Sequence, residues 1–163
     1  MAQDIPGVRI FPMSDRAPGF VGKGIERVRR DVFLRDLPRN GGRFRYRASG
    51  LDARSGTVVL FQYQARVIAT AVFLRDEKAE RRGDAKKGVY GGALYFDVAS
   101  IRTFEPVDAA GMRKAWPGFR GFGHVKQFLN PAGYPAFRRR LKGVTAAEDG
   151  VSRTGSKSQR TGR

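Results

Sequence analysis

His124 is the one histidine in the 163 residues, and cysteine is absent. A zinc site built on nitrogen and sulfur ligands, a thiolate nucleophile and a disulfide are therefore all excluded. Carboxylate pairs occur as Asp76/Glu77, inside a charged stretch, and as Glu148/Asp149, near the C-terminus. One lies in an expected solvated loop and the other in an expected tail; neither setting excludes water, so neither could readily tune a general acid. No G-x-S-x-G, Walker loop or strand-to-helix G-x-G-x-x-G is present, and Gly118–His124 reads as a turn before a helix. No catalytic site, cofactor or metal is expected. An enzyme acting on nucleic acid would have to work through groups such as Asp97 and His124.

Binding chemistry is better supplied. An unstacked base is gripped by aromatic faces and read at its polar edge by amides or hydroxyls. The candidates for a base-binding pocket are Phe61, Tyr63, Tyr95 and Trp116, with Gln62, Ser100 and Gln127 as edge readers. Tyr90, Phe96 and Phe122 are further aromatics of the same kind. Each has a competing role in the core, strongest for phenylalanine, which has no polar end to keep at the surface.

Charge points to the partner. Lys and Arg number 32 against 15 Asp and Glu, a formal net charge of +17, and arginine outnumbers lysine threefold. Such a field concentrates polyanions and favours counterion release from a phosphate backbone. A GC-rich genome explains arginine in place of lysine; it does not explain a twofold excess of cations over anions. The expected phosphate contacts are Arg43, Arg45, Arg47, Lys126, Arg138, Arg139 and Arg140, with the loop 75–88 and the tail assisting. An acidic protein partner docking on the same arginines is the second reading.

These residues need elements to place them. Val8–Phe11 is strand-like, and Arg43–Arg47 alternates, with Phe44 and Tyr46 on one face and arginines on the other. Residues 57–63 and 67–74 are β-branched and aromatic runs spaced as a hairpin. Residues 75–88 read as a solvated loop, Tyr90–Phe96 and Ile101–Phe104 as strands, and Pro106 as the end of the sheet. Helices are expected at Lys23–Arg30, Asp108–Trp116 (capped by Asp108, stopped by Pro117), Val125–Leu129 and Tyr134–Leu141. From about residue 144 the composition turns polar and basic. The expectation is one α+β domain over 1–143, a small and strongly bent β-barrel with short flanking helices, followed by a disordered basic tail over 144–163. No apolar run is long enough to span a membrane and the N-terminus lacks a signal-peptide pattern, so a cytoplasmic location is expected.

Gly56–Tyr63, Val67–Ala71, Tyr90–Asp97 and Val125–Leu129, with Tyr134 and Phe137 beyond, together resemble a domain of the PUA-like superfamily, and within it the EVE-type branch. The resemblance covers residues 8–142. It implies a bent barrel with a concave pocket for a flipped or single-stranded base. Relatives include readers of modified cytosine or adenine and RNA-binding modules, some with an aromatic cage. It also implies that cutting, if this is part of a restriction system, resides in a separate nuclease subunit. The expected partner is nucleic acid, DNA with a modified base ahead of RNA.

Overall fold

The computed structural model describes residues 4–46, 50–78 and 91–147. It is a mixed α+β fold in which eight strands form a single sheet. The strands are β1 (Val8–Met13), β2 (Arg43–Tyr46), β3 (Val58–Tyr63), β4 (Arg66–Lys78), β5 (Gly92–Phe96), β6 (Arg102–Val107), β7 (Gln127–Leu129) and β8 (Thr145–Ala146). A helical run, α1, joins β1 to β2 through Ile25–Val28, a wider π-type stretch at Arg29–Asp36 and a last turn at Leu37–Arg39. Helices α2 (Ala109–Ala115) and α3 (Tyr134–Arg140) flank β7 in sequence.

The hairpin expected from the two β-branched runs is present. β3 and β4 pair antiparallel from Val58↔Val72 to Tyr63↔Arg66, and Gln64 and Ala65 turn the chain with φ of 50° and 56°. Left-handed conformations at both central residues match the twist of a two-residue hairpin. β4 is the pivot of the sheet. One side pairs with β3; the other pairs with β6 near its start and with β5 from Phe73 onward. Where β5 ends and β6 begins, Ser100 Oγ accepts from the Val72 amide at 2.7 Å and donates to the Asp97 carbonyl at 2.6 Å. β1 pairs parallel with β3 and antiparallel with β7.

The hydrogen-bonded path runs β2-β5-β4-β3-β1-β7, and its ends are not joined to each other. A small, strongly bent barrel is the expectation from sequence; among the described residues the eight-stranded sheet does not close and leaves an open seam. Alternation along the strands sorts two cores. Phe11, Val59, Phe61, Ile68 and Phe73 fill the concave side with Phe33 and Leu37 of α1. Val8, Ile10, Val58, Leu60 and Val67 pack on the other side against Met112, Trp116 and Phe137. Phe61, fully buried, has ring centroids 4.8 Å from Phe33, 5.1 Å from Phe96 and 6.0 Å from Phe44.

Four further expectations need correction. Residues 127–129 form a strand, not a helix, because Gln127, Phe128 and Leu129 pair in register with β1; five residues are too few to separate the two periods. Residues 75–78 continue β4 rather than opening a loop, since they pair with β5. The fold also extends past 143: Thr145 and Ala146 pair with Thr103 and Arg102, and Ala147 is buried. Pro106 lies inside β6, beside a break in its register with β4, where a missing donor costs least.

Candidate nucleic-acid interface

The open seam creates a cleft. Its volume is ≈ 830 Å³, within the range of pockets that hold small ligands. One wall is the end of β1 and the segment after it, Phe11 to Phe20 and Lys23; the opposite wall is β2, Arg43 to Tyr46; Asp36, Leu37 and Asn40 of α1 and its end close one side, and His124 and Lys126 another. Phe11 meets Phe44 edge to face across the seam, with centroids 5.6 Å apart. Phe20 and Phe44 are partly buried and pack against the core, whereas Phe11 and Tyr46 are buried.

Local chemistry fixes each wall. Gly42 enters β2 with φ of 83°, and a Cβ there would lie 2.0 Å from the Phe96 carbonyl oxygen, so only glycine lets β2 start against β5. The Tyr46 hydroxyl donates to Asp76 Oδ1 at 2.8 Å, holding the far end of β2 to β4. Burial first, then the bond to Asp76, pushes the Tyr46 phenol up to about 12. On the other wall, the buried Tyr63 hydroxyl donates to the Lys23 carbonyl at 2.6 Å, and its ring lies 5.9 Å from that of Phe20. Asp31, inside α1, accepts from or pairs with Arg30, Arg27, Arg35 and Lys23 at 3.3 to 3.9 Å, drawing Lys23 back toward the helix. The glycine-rich segment that brings His124 to the cleft is held by two glutamines: Gln62 Nε2 donates to the Gly123 carbonyl at 3.0 Å and Gln127 Nε2 to the Gly121 carbonyl at 2.9 Å.

Among the described residues the lining carries Lys23, Arg43, Arg45 and Lys126 against one carboxylate, Asp36. Lys126 Nζ lies 5.6 Å from the centre of the Phe11 ring, a cation–π distance. Burial, and then the positive charge of Arg9, hold the Lys126 ammonium below the usual lysine range, against the pull of Asp76. Arg9 itself is 6% exposed. Its Nη1 donates to the Asp52 carbonyl at 2.6 Å, while its Nε is buried without a hydrogen-bond partner among the described residues. Desolvation lowers its affinity for the proton, offset in part by Asp52. Two adjacent cations in partly desolvated surroundings favour an anion between or beside them.

The residues chosen from sequence scatter across the fold. Of the four expected cage aromatics, Phe61 and Tyr63 are fully buried in the concave core. Tyr95 lies on β5 with the Arg75 guanidinium 3.9 Å over its ring and its hydroxyl toward Glu77. Trp116 is 6% exposed in the second core, its Nε1 donating to the Asn130 carbonyl at 2.7 Å. None of the four lines the seam cleft. Gln62, Gln127 and Ser100 make the backbone bonds given above, and Gln62 Oε1 is buried without a hydrogen-bond partner among the described residues. Arg43, Arg45 and Lys126 do line the cleft, whereas Arg138, Arg139 and Arg140 are exposed on α3, over the second core. Arg47, Tyr90 and residues 79–88 lie outside the described residues, as do 148–163. Sequence reasoning passed over Phe11, Phe20 and Lys23 as lining. It placed Phe44 by its alternation, with no signal that its strand borders a seam.

Among the described residues no three His, Cys, Asp or Glu side chains gather as a metal site, and no helix is long and apolar enough to cross a membrane. Among solved structures, a single-residue variant of the ASCH protein from Zymomonas mobilis superposes with a TM-score of 0.51 at 8% identity, over 84% of this chain and 98% of that chain. The unsubstituted Zymomonas mobilis protein gives 0.49 at 8% identity, over 84% of this chain and 97% of its own. The likeness is one of fold alone: a mixed α+β architecture like that of the ASCH structure. No family model and no curated protein matches the sequence.

Proposed function

We propose that this chain binds nucleic acid by taking one unstacked nucleotide into the seam cleft, without catalysing its conversion. The observation that carries the reading is the lining itself: partly buried Phe20 and Phe44 beside Lys23, Arg43, Arg45 and Lys126, in a cavity of ≈ 830 Å³. Rings supply a stacking surface for a base, and the cations hold its phosphates. A duplex keeps its bases stacked and cannot use such a cleft unless one is extruded.

The test is titration of labelled oligonucleotides of one sequence, as single-stranded DNA, single-stranded RNA and duplex DNA, across a range of salt. Single strands are expected to bind more tightly than the duplex, and Phe44→Leu, which keeps apolar volume but removes the ring, is expected to erase that preference. Equal binding to all three probes, unchanged in Phe44→Leu, contradicts the reading.

The narrower version is an EVE-type reader of a modified base in DNA, acting in restriction beside a separate nuclease chain. It requires that a duplex with one modified cytosine or adenine bind more tightly than its unmodified twin, and that the difference vanish with Phe44→Leu. It is the first comparison to make once single-strand binding is in hand.

A further inference from the structure

Phe128 is 76% exposed, an unusual position for a phenylalanine on a strand, and its ring is not idle. The Arg9 guanidinium carbon lies 3.8 Å from its centroid, because Arg9 and Phe128 are directly opposed in the β1–β7 ladder. Arg9 is anchored from behind by the Asp52 carbonyl. One face of the ring is thus propped against a fixed cation, and the side chain remains largely open to solvent. Two residues earlier, just before the strand begins, Lys126 lines the seam cleft; Phe128 itself borders a second cleft of ≈ 670 Å³ that contains Arg120.

We propose that Phe128 is the stacking platform for the base that neighbours the nucleotide in the seam cleft. The inference rests on the cleft reading and extends it from one nucleotide to a short single strand. Lys126, next to the start of β7, and Phe128 on it would place a phosphate contact and a base contact close together along the chain, the combination single-strand binders use. The guanidinium behind the ring holds it in place and draws electron density to that side, so little freedom remains to be lost when a base stacks. The cationic surroundings of Arg9, Lys126 and Arg120 suit a polyanion and oppose a basic partner, which includes a second copy of this chain at +17.

The experiment compares a nucleoside 5′-monophosphate with a single-stranded trinucleotide as probes, on the full chain and on Phe128→Ala, Phe128→Trp and Phe44→Leu. Phe128→Ala is expected to weaken the trinucleotide about 5- to 150-fold, the range for losing one stacked base, and to leave the monophosphate unchanged. Phe128→Trp is expected to restore trinucleotide affinity. Phe44→Leu is expected to weaken both probes. Trinucleotide affinity that is unchanged in Phe128→Ala, or a monophosphate weakened to the same degree, overturns the platform while leaving the cleft intact. Probes insensitive to Phe44→Leu overturn the cleft itself. Self-association lost in Phe128→Ala with nucleic-acid binding unaltered assigns the ring to a protein contact and also overturns the proposal.

Discussion

Phe11 on β1 and Phe44 on β2 meet edge to face at 5.6 Å, yet among the described residues no ladder of hydrogen bonds joins their strands. The sheet is held shut here by side chains alone. A closed ladder at this point would have filled the gap with backbone; the aromatic contact instead leaves a cleft whose walls are two different strands.

That arrangement makes Phe44 a test of both stability and binding. Phe44→Ala removes contacts with Phe11 and Phe61 from a half-buried site, so the loss should fall below the 3–5 kcal/mol of a fully buried phenylalanine, at about 2 kcal/mol. Chemical denaturation reads that figure. In the same variant, affinity for a single-stranded oligonucleotide should fall more than affinity for a duplex.

The Tyr46–Asp76 bond predicts a dependence on pH. The folded phenol titrates at about 12, above its unfolded value near 10. Between those values the native state holds a proton that the unfolded chain has released, so the stabilisation is complete below pH 10 and fades as pH rises through 12. Tyr46→Phe should cost about 1.5–3 kcal/mol near neutrality, as for a hydrogen bond to a charged group. The difference between the two proteins should shrink above pH 10 in denaturant titrations; a gap that widens there contradicts the assignment.

Trp116, taken from sequence as a cage residue, should behave as core. Its ring packs 5.4 Å from Phe137 and its indole nitrogen is satisfied by Asn130. Trp116→Ala should destabilise by about 3–5 kcal/mol. Under conditions where the variant remains folded by circular dichroism, its affinity for a nucleoside monophosphate should match that of the unsubstituted chain.

The cations should divide by position. Arg43→Gln and Arg45→Gln, in the cleft lining, should each reduce the slope of log affinity against log salt by about 1 for single strands. The triple change of Arg138, Arg139 and Arg140 to Gln, on α3, should lower affinity for all sequences and leave the preference for single strands over duplex intact. Loss of that preference in the triple variant would move the site to the other side of the molecule.

The strands were legible because their signals are local. Alternation at 43–46 marks a strand, and the two β-branched runs around Gln64 and Ala65 state their own pairing. The capped helix after Asp108 was equally plain, with Asp108 accepting from the Gly111 amide at 2.9 Å. The cleft was not legible, since it depends on which strand edges stay unpaired, and nothing within β1 or β2 records that their neighbours lie elsewhere. The aromatics followed the same division. A tyrosine or tryptophan must satisfy its polar atom, but Tyr63 and Trp116 do so on backbone carbonyls while buried, and sequence alone does not distinguish that from a partner in a ligand. Gln62 and Gln127 were chosen for their amides, and they do use them, on the loop that borders the site.

Ultraviolet cross-linking of the full chain to single-stranded RNA and DNA, followed by peptide mass spectrometry, addresses the seam cleft most directly. The account predicts nucleotide adducts on peptides containing Phe11, Phe20, Phe44 or Tyr46, reduced in Phe44→Leu. Adducts confined to α3 and residues 148–163, with β1 and β2 unlabelled, would contradict it.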